Sequence, residues 1–424
     1  MSQNLEQIQK CHVVDNLAKG FKSMAQRSVC KDLPVIYEHN SNYYCVLHYP
    51  NDLKHENTDF TEIVHSRLEN AQYDFSYVYF SDIFLLQLGF GKKEINSPAK
   101  FNNSTFKSFA EFGDSVFNDW ADFTGAKFHK EASFSGCKFN QNATFVYASF
   151  RDEAYFNICY FVDGANFSAV TFENIASFWG ATFEANNRVF FKDTKFIDTA
   201  FFQDANIKGE MVFEGSNKIP VFYEDKVQLD LQKAIVDKDA KVVFQSVYLC
   251  PSWFINIDSR NFIFTDIIWS FNESKSIKVN TKVELKKLEK RIINSKALFK
   301  ITCRQLAENA ENNNRFEEAS KFRQMAFETE WLEKKEKISN WIKNLVPESE
   351  KLKRRFGGST DEEDKPIPPT NSFDILRRSG DFFIHGLYRI TSFYGESWSW
   401  ALGVLLLLIL VIFPIIYTQI NFQT

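Results

Sequence analysis

Residues 123–161 read FTGAKFHKEASFSGCKFNQNATFVYASFRDEAYFNICYF. Phenylalanine returns there at alternating steps of five and six: Phe123, Phe128, Phe134, Phe139, Phe145, Phe150, Phe156 and Phe161. The series continues outward in both directions, through Phe101, Phe106, Phe112 and Phe117 on one side and Phe167, Phe172, Phe178 and Phe183 on the other. Two residues before each ring stands a small side chain. Ala110, Ala121, Ala132, Ala143, Ala154, Ala165 and Ala176 interleave with Ala126, Cys137, Ala148, Cys159, Val170 and Ala181. A fixed short period is the signature of a solenoid. It argues against a cleft enzyme built on this segment and for a rod that works through its surface, ends and attachments.

The period fixes the geometry. Neither 3.6 nor 2.0 divides it, so the segment is neither an amphipathic helix nor an alternating strand. Short extended sides joined by sharp corners fit it, four sides making a coil of about 22 residues. Phe101, Phe123, Phe145 and Phe167 then form one inward column. Columns led by Phe106, Phe112 and Phe117 make the other three. Coils lie roughly 4.8 Å apart, as strands do, so the core is a dry pile of rings with only Ala-sized groups beside them.

This pattern resembles the pentapeptide-repeat proteins, with Phe where many members carry Leu and with five- and six-residue sides in place of a strict five. The resemblance implies a right-handed quadrilateral parallel β-helix. It says little of function, because one scaffold hosts many roles.

The rod is expected to begin near Tyr73, because YDFSYVYF places Phe75 and Phe80 five apart. Residues 1–72 form an N-terminal cap region, and 81–100 read as irregular, a possible capping loop. Beyond Phe183 the spacing loosens through Phe190, Phe196, Phe202, Ile207 and Phe213, closing the main β-helix at 73–216. Residues 217–241 read as a polar insertion. A terminal coil over 242–270 resumes the period with Phe244, Leu249, Phe254, Ser259, Phe264 and Trp269. Solenoid ends need covering against edge-to-edge association, and the N-terminal region and the later helices are the natural covers.

Length and charge bound the function. The 424 residues suggest two to three domains, and the net charge is −4. Residues 101–216 hold 15 acidic side chains against nine Lys plus Arg. That balance opposes binding to a phosphate backbone, so no nucleic acid is expected, and it is too weak for a DNA mimic. The seven cysteines are odd in number, and the polar start MSQNLEQIQK is no secretory signal, which suggests free thiols in a reducing compartment. Cys137 and Cys159 occupy the small inward slot and read as packing.

From Thr281 helix formers dominate. Residues 281–345 read as a helical hairpin, one helix through VELKKLEKRIINSKALFKITCRQLAENAE and a second through FEEASKFRQMAFETEWLEKKEKISNWIKNL. Phe299, Cys303, Leu306 and Ala310 line one face, and Phe316, Ala319, Phe322 and Phe327 the other. The hairpin resembles a single tetratricopeptide-type unit, and also the segment after the β-helix in bacterial membrane-anchored pentapeptide-repeat proteins. It reads as a cap on the rod or as a partner-binding groove.

Residues 346–372 are charged and rich in Pro and Gly and read as a flexible linker. Residues 373–397 mix aromatic and basic side chains as an interfacial segment does. Their LYRITSFYGES resembles the juxtamembrane stretch of the membrane-anchored proteins. Residues 398–418 form the expected transmembrane helix. WALGVLLLLILVIFPIIY (400–417) is apolar throughout, long enough at 1.5 Å per residue to approach a hydrocarbon core, and flanked by Trp398, Trp400 and Tyr417. Lys351, Lys353, Arg354, Arg355, Arg377, Arg378 and Arg389 precede it and nothing basic follows, which places the rod on the cytoplasmic side. Members of the resembling group tend to carry a further span, so a truncated copy or a tail-anchored variant is expected.

Chemistry-bearing patterns are few. Cys30, Cys45 and His48 form the strongest zinc candidate, with Cys11, His12 or His39 as a fourth ligand, but C-x2-H lacks a second paired motif. None of the seven histidines sits in a nucleophile motif, His129 falls on an outward corner, and there is no glycine-rich phosphate loop. No catalytic, cofactor-binding or metal residue is therefore assigned, no cofactor is expected, and the chain reads as a non-enzyme. Trp120, Tyr147 and Trp179 should point away from the stack, either as recognition anchors or as braces between coils. Three functions follow: a membrane-tethered scaffold for an unknown protein partner, a membrane-perturbing effector or channel subunit, and, least favoured, a DNA-mimicking topoisomerase-protection protein. The second requires a homo-oligomer, since one apolar span cannot enclose a polar pore.

Overall fold

The computed structural model describes residues 33, 35–51, 58–81, 90–184, 187–216, 221–222, 227–272, 277–290 and 292–356. They belong to two compact units that divide between Ser270 and Phe271.

The first unit opens with a hairpin, β1 (Val35–His39) antiparallel to β2 (Asn42–Cys45). Helix α1 (Thr58–Glu69) follows. Its Phe60, Val64 and Leu68 are buried at helical spacing, and Phe60 meets Phe80 edge-on at 6.1 Å. The coils begin on that ring.

Most coil sides hold a two-residue strand, lengthening to as many as five residues in the later coils, and equivalent strands of successive coils pair in parallel. Four sheets result, of six, six, seven and eight strands, making a β-solenoid of about eight turns. The register is Phe on Phe: Phe128 faces Phe106 and Phe150, and Phe139 faces Phe117 and Phe161. Every Phe of the 101–183 series is at most 1 % exposed. Within a column, ring centroids stand 4.5 Å (Phe128–Phe150) to 5.3 Å (Phe161–Phe183) apart, close to the strand spacing. Opposite columns interlock edge to face, as Phe134 does with Phe123 (5.1 Å, 87°) and Phe145 (5.3 Å, 88°). Both geometries suit the ring quadrupole and add about 0.5–1.5 kcal/mol per pair beyond area burial.

The five-residue sides end in one kind of corner. Ser104 N–H bonds Phe101 O at 3.1 Å, and Asn103 between them has φ +56°. This is the pattern of a type II turn, with positive φ at its third residue. The same position recurs at Asp114, Gly125, Gly136, Tyr147, Ile158, Ala169 and Gly180. The residue after it faces inward and is small. Where it carries a donor it binds the carbonyl of a core Phe one coil below. Ser104 bonds Phe75 O at 2.7 Å, Cys137 bonds Phe112 O at 3.1 Å, Cys159 bonds Phe134 O at 2.9 Å and Thr194 bonds Phe167 O at 2.7 Å. The two cysteines are thus packing residues in the small slot, as their spacing indicated.

Several boundaries differ from the sequence reading. Phe90 is buried against Phe75, Phe101 and Phe112, and residues 94–95 and 99–100 are coil strands, so part of 81–100 is regular rod. Phe191, not Phe190, continues the column from Phe167 (5.0 Å), because two extra residues lie between Phe183 and that ring. Phe190 instead pairs with Asn166 on the outer side and is half-buried. The stretch 217–241 is no simple insertion. Phe222 stacks on Phe196 at 5.6 Å, Leu229–Asp230 pairs with Ala200–Phe201, and Ile235–Val236 pairs with Asn206–Ile207. Leu231 and Val236 replace Phe there, so the aromatic signal vanishes while the coil persists. The last coil follows the expected register, with Phe244 stacked on Phe264 at 5.6 Å and Phe254, Ser259 and Trp269 buried.

The second unit contains three helices among its described residues: α2 (Ile277–Glu289), α3 (Ser295–Asn312) and α4 (Phe316–Phe356). The expected first helix of the hairpin is therefore two. The chain breaks before α3, where Asn294 takes φ +62°. Phe299, Cys303, Leu306 and Ala310 are buried, as are Ala319, Phe322, Met325 and Ala326. Phe316, expected in that seam, is 64 % exposed. It stands in the first turn of α4, beside Arg315, which closes the hairpin by bonding Asn309 and Glu318 at 2.7 and 2.6 Å. Helix α4 also runs into the expected linker, passing Pro347 to Phe356. Proline removes one backbone donor, while ESEKLKRR beyond it is composed largely of helix formers. The remainder of the linker and the segments 373–397 and 398–418 lie outside the described residues. No helix among the described residues is long and apolar enough to cross a membrane.

Candidate interaction surface

The interior of the rod cannot house a substrate. Rings about 3.5 Å thick stacked at roughly 5 Å leave no gap for a ligand. Whatever the rod recognises must meet its outer faces, and the corner geometry sets which side chains are offered there.

Trp120, Tyr147 and Trp179 are exposed, as their positions beside inward slots require, at 38, 71 and 43 %. They do not share a face. Trp120 precedes the strand Ala121–Asp122, Tyr147 sits in the corner before Ser149–Phe150, and Trp179 in the corner before Thr182–Phe183. Two of them also brace coils. Lys100 lies over the Trp120 ring at 5.7 Å, and Trp179 Nε1–H donates to Asp204 Oδ2 at 3.1 Å.

Around Trp179 a patch forms that its own position did not announce. Ile158 occupies the equivalent corner one coil earlier, and its N–H bonds Trp179 O at 2.8 Å. Ile158 is 58 % exposed, and Tyr160, two residues on, is 39 % exposed. Gly136 and Gly180 hold the same corner in the neighbouring coils. Gly180 leaves Ile158 uncovered, with Ile158 Cγ1 only 3.7 Å from where a Cβ at 180 would stand. A β-branched residue at φ +55° is strained, so Ile158 is held exposed against its own backbone preference. The signal was present in the sequence as the one bulky aliphatic residue in a column otherwise filled by Asp and Gly from 114 to 204.

Other faces are polar. Asn140 donates to Asn118 at 2.6 Å and Asn118 to Asn96 at 2.5 Å, an amide ladder up one side. Lys192–Glu214 (2.7 Å) and Lys208–Glu184 (2.8 Å) tie later coils. A further face gathers carboxylates. Partial burial and the neighbouring Glu153, Asp152 and Glu111 push the Glu131 carboxyl up. The Tyr155 phenol donates to Glu153, and this bond, with burial and the surrounding carboxylates, raises it to about 12. His129 lies on its corner beside Arg151, with Nδ1 3.1 Å from Nη1.

Two of the zinc candidates, Cys45 and His48, lie side by side. Cys30, like Cys11 and His12, lies outside the described residues. His48 and Cys45 are buried next to each other, Nδ1 to Sγ 3.3 Å, and His48 Nε2 faces Ser76 O at 3.1 Å. The carbonyl requires a proton on Nε2, so Nδ1 accepts from the thiol and both ring nitrogens are committed. Among the described residues no group of three His, Cys, Asp or Glu could hold a metal.

A family model described as pentapeptide repeats (9 copies) matches residues 123–157. That match and the four-sided β-solenoid both support a pentapeptide-repeat protein. No curated protein and no solved structure matches the chain.

Proposed function

We propose that the chain is a non-enzymatic scaffold, anchored in a membrane by 398–418, whose rod presents the Ile158–Tyr160–Trp179 corner to a protein partner. The exposed, backbone-strained Ile158 beside an exposed Trp supports this most directly. Trp and Tyr dominate binding hot spots, and a strained residue tends to mark function. A filled aromatic core supports a binding role over turnover chemistry. The apolar run at 398–418 supports the tether, and the basic residues before it support a cytoplasmic rod.

A photo-reactive residue at 179 should cross-link one protein in intact membranes, and the same residue at 140, on the asparagine ladder, should not. Cross-linking of the same protein from both positions would refute the corner. For the tether, the full chain should resist alkaline carbonate extraction, and a chain ending at Ser372 should be released. Retention of the shortened chain would refute the anchor.

A further inference from the structure

Cys45 and His48 are set together by a single turn. The His48 and Tyr49 N–H groups both bond Cys45 O, at 3.1 and 3.0 Å. That turn brings the two side chains of the C-x2-H spacing onto one side, with Cys45 Sγ 3.3 Å from His48 Nδ1. Both residues are buried, Cys45 completely. A tetrahedral zinc ion holds sulfur at about 2.3 Å and imidazole nitrogen at about 2.0–2.1 Å, which separates the two ligand atoms by about 3.6 Å. The Cys45–His48 pair lies within about 0.3 Å of that separation. The other ring nitrogen is held as a metal ligand requires. His48 Nε2–H donates to Ser76 O at 3.1 Å. A backbone carbonyl on the far nitrogen orients a ligating imidazole and leaves the Nδ1 lone pair for the ion. Sequence spacing, ligand separation and the far-side hydrogen bond therefore agree.

We propose that Cys45 Sγ and His48 Nδ1 are two ligands of a structural zinc ion, with Cys30 the third and Cys11 or His12 the fourth. Thiolate and imidazole together suit zinc. His39 does not join them. It pairs with Asn42 at the closed end of the hairpin, and no third described residue completes a metal group. Cys30 is within reach of the chain. Val35 pairs with Cys45 across the hairpin, and the five residues from Cys30 to Val35 span at most about 17 Å. On binding, Cys45 releases its thiol proton to solvent, and bonds to the metal replace the S–H···N contact. The position of the ion gives it a role. Leu47 O accepts Tyr79 N–H at 3.0 Å, and His48 holds Ser76 O, so the turn at 45–48 already rests on the first coil. Zinc there fastens the N-terminal region to the rod end, which must be covered against edge-to-edge association. The inference stands apart from both the rod corner and the membrane tether.

The test uses the detergent-solubilised full chain, purified without chelators, with metal content read by mass spectrometry. About one zinc ion per chain is expected. Cobalt exchanged for zinc should give a thiolate-to-cobalt charge-transfer band and the visible bands of a tetrahedral ion. Cys45→Ser, His48→Ala and Cys30→Ser should each lose the metal and the bands. Cys137→Ser, in the small slot of the rod, and His39→Ala should keep both. Substitution of a buried residue can unfold the cap, so the unsubstituted chain supplies a separate arm. A chain that carries no zinc and shows no cobalt–thiolate band after loading would overturn the proposal, leaving Cys45 and His48 as a buried S–H···N bond only. Full zinc content in Cys45→Ser, His48→Ala or Cys30→Ser would overturn it as well.

Discussion

Phe134 and Phe156 stand 22 positions apart in the chain and stack with centroids 5.0 Å apart and planes 2° from parallel. That single relationship contains the architecture: one coil per 22 residues, a register of like on like, and a core made by repetition. It also dictates how the rod should respond to change.

Phe145 is fully buried between Phe123 and Phe167 at 4.9 and 5.0 Å. Phe145→Ala should destabilise the rod by ~3–5 kcal/mol, the range for buried aromatics. Lys138, exposed on a strand of the same stretch, should cost within about 0.5 kcal/mol when replaced by Ala. Denaturant unfolding of both variants measures this, and equal losses would contradict the inward columns.

Ile158→Gly should act in the opposite direction. Glycine accepts φ +55° without penalty, so removing the β-branched residue should raise stability by about 1 kcal/mol. If the corner is a recognition site, the same variant should lose partner cross-linking. A more stable rod that binds worse is the expected signature.

Glu131 gives a pH dependence with a definite sign. Its folded carboxyl lies above the ordinary 4.5, so ionisation disfavours the folded state. The penalty is absent below the unfolded value, grows as pH rises through the folded value and persists above it. Glu131→Gln should therefore raise the unfolding midpoint at pH 7 and leave it unchanged near pH 4. A gain that is larger at pH 4 would contradict the carboxylate crowding on that face.

Cys137 and Cys159 are fully buried, and burial pushes the Cys137 thiol up to about 12. Thiolate is the reactive form. Neither residue should be alkylated in the native protein, and both should be in denaturant, as mass spectrometry of labelled peptides would show.

The rod was legible because each core position carries the same ring. Where the ring changed, legibility failed. Leu231 and Val236 keep the inward register but lack the aromatic mark, so 217–241 resembled an insertion. Phe190 and Phe191 are adjacent, and spacing alone could not show that two added residues had moved the column to the second. In the helices, α2 ends at Glu289 and left-handed Asn294 starts α3 anew, a division that a run of good helix formers did not announce. The corner patch was half legible. Trp179 stood out by type, while Ile158 and Tyr160 gain their meaning from lying beside it in the neighbouring coil.

The central claim is that recognition belongs to one corner of the rod. Its most direct measurement is partner cross-linking in membranes across sets of substitutions to Asp at exposed positions, one set on each of the four faces, with folding checked by circular dichroism. The account predicts loss confined to substitutions at Ile158, Tyr160 and Trp179. Four neutral faces, with function abolished only by changes within 398–418, would contradict it and favour a membrane effector.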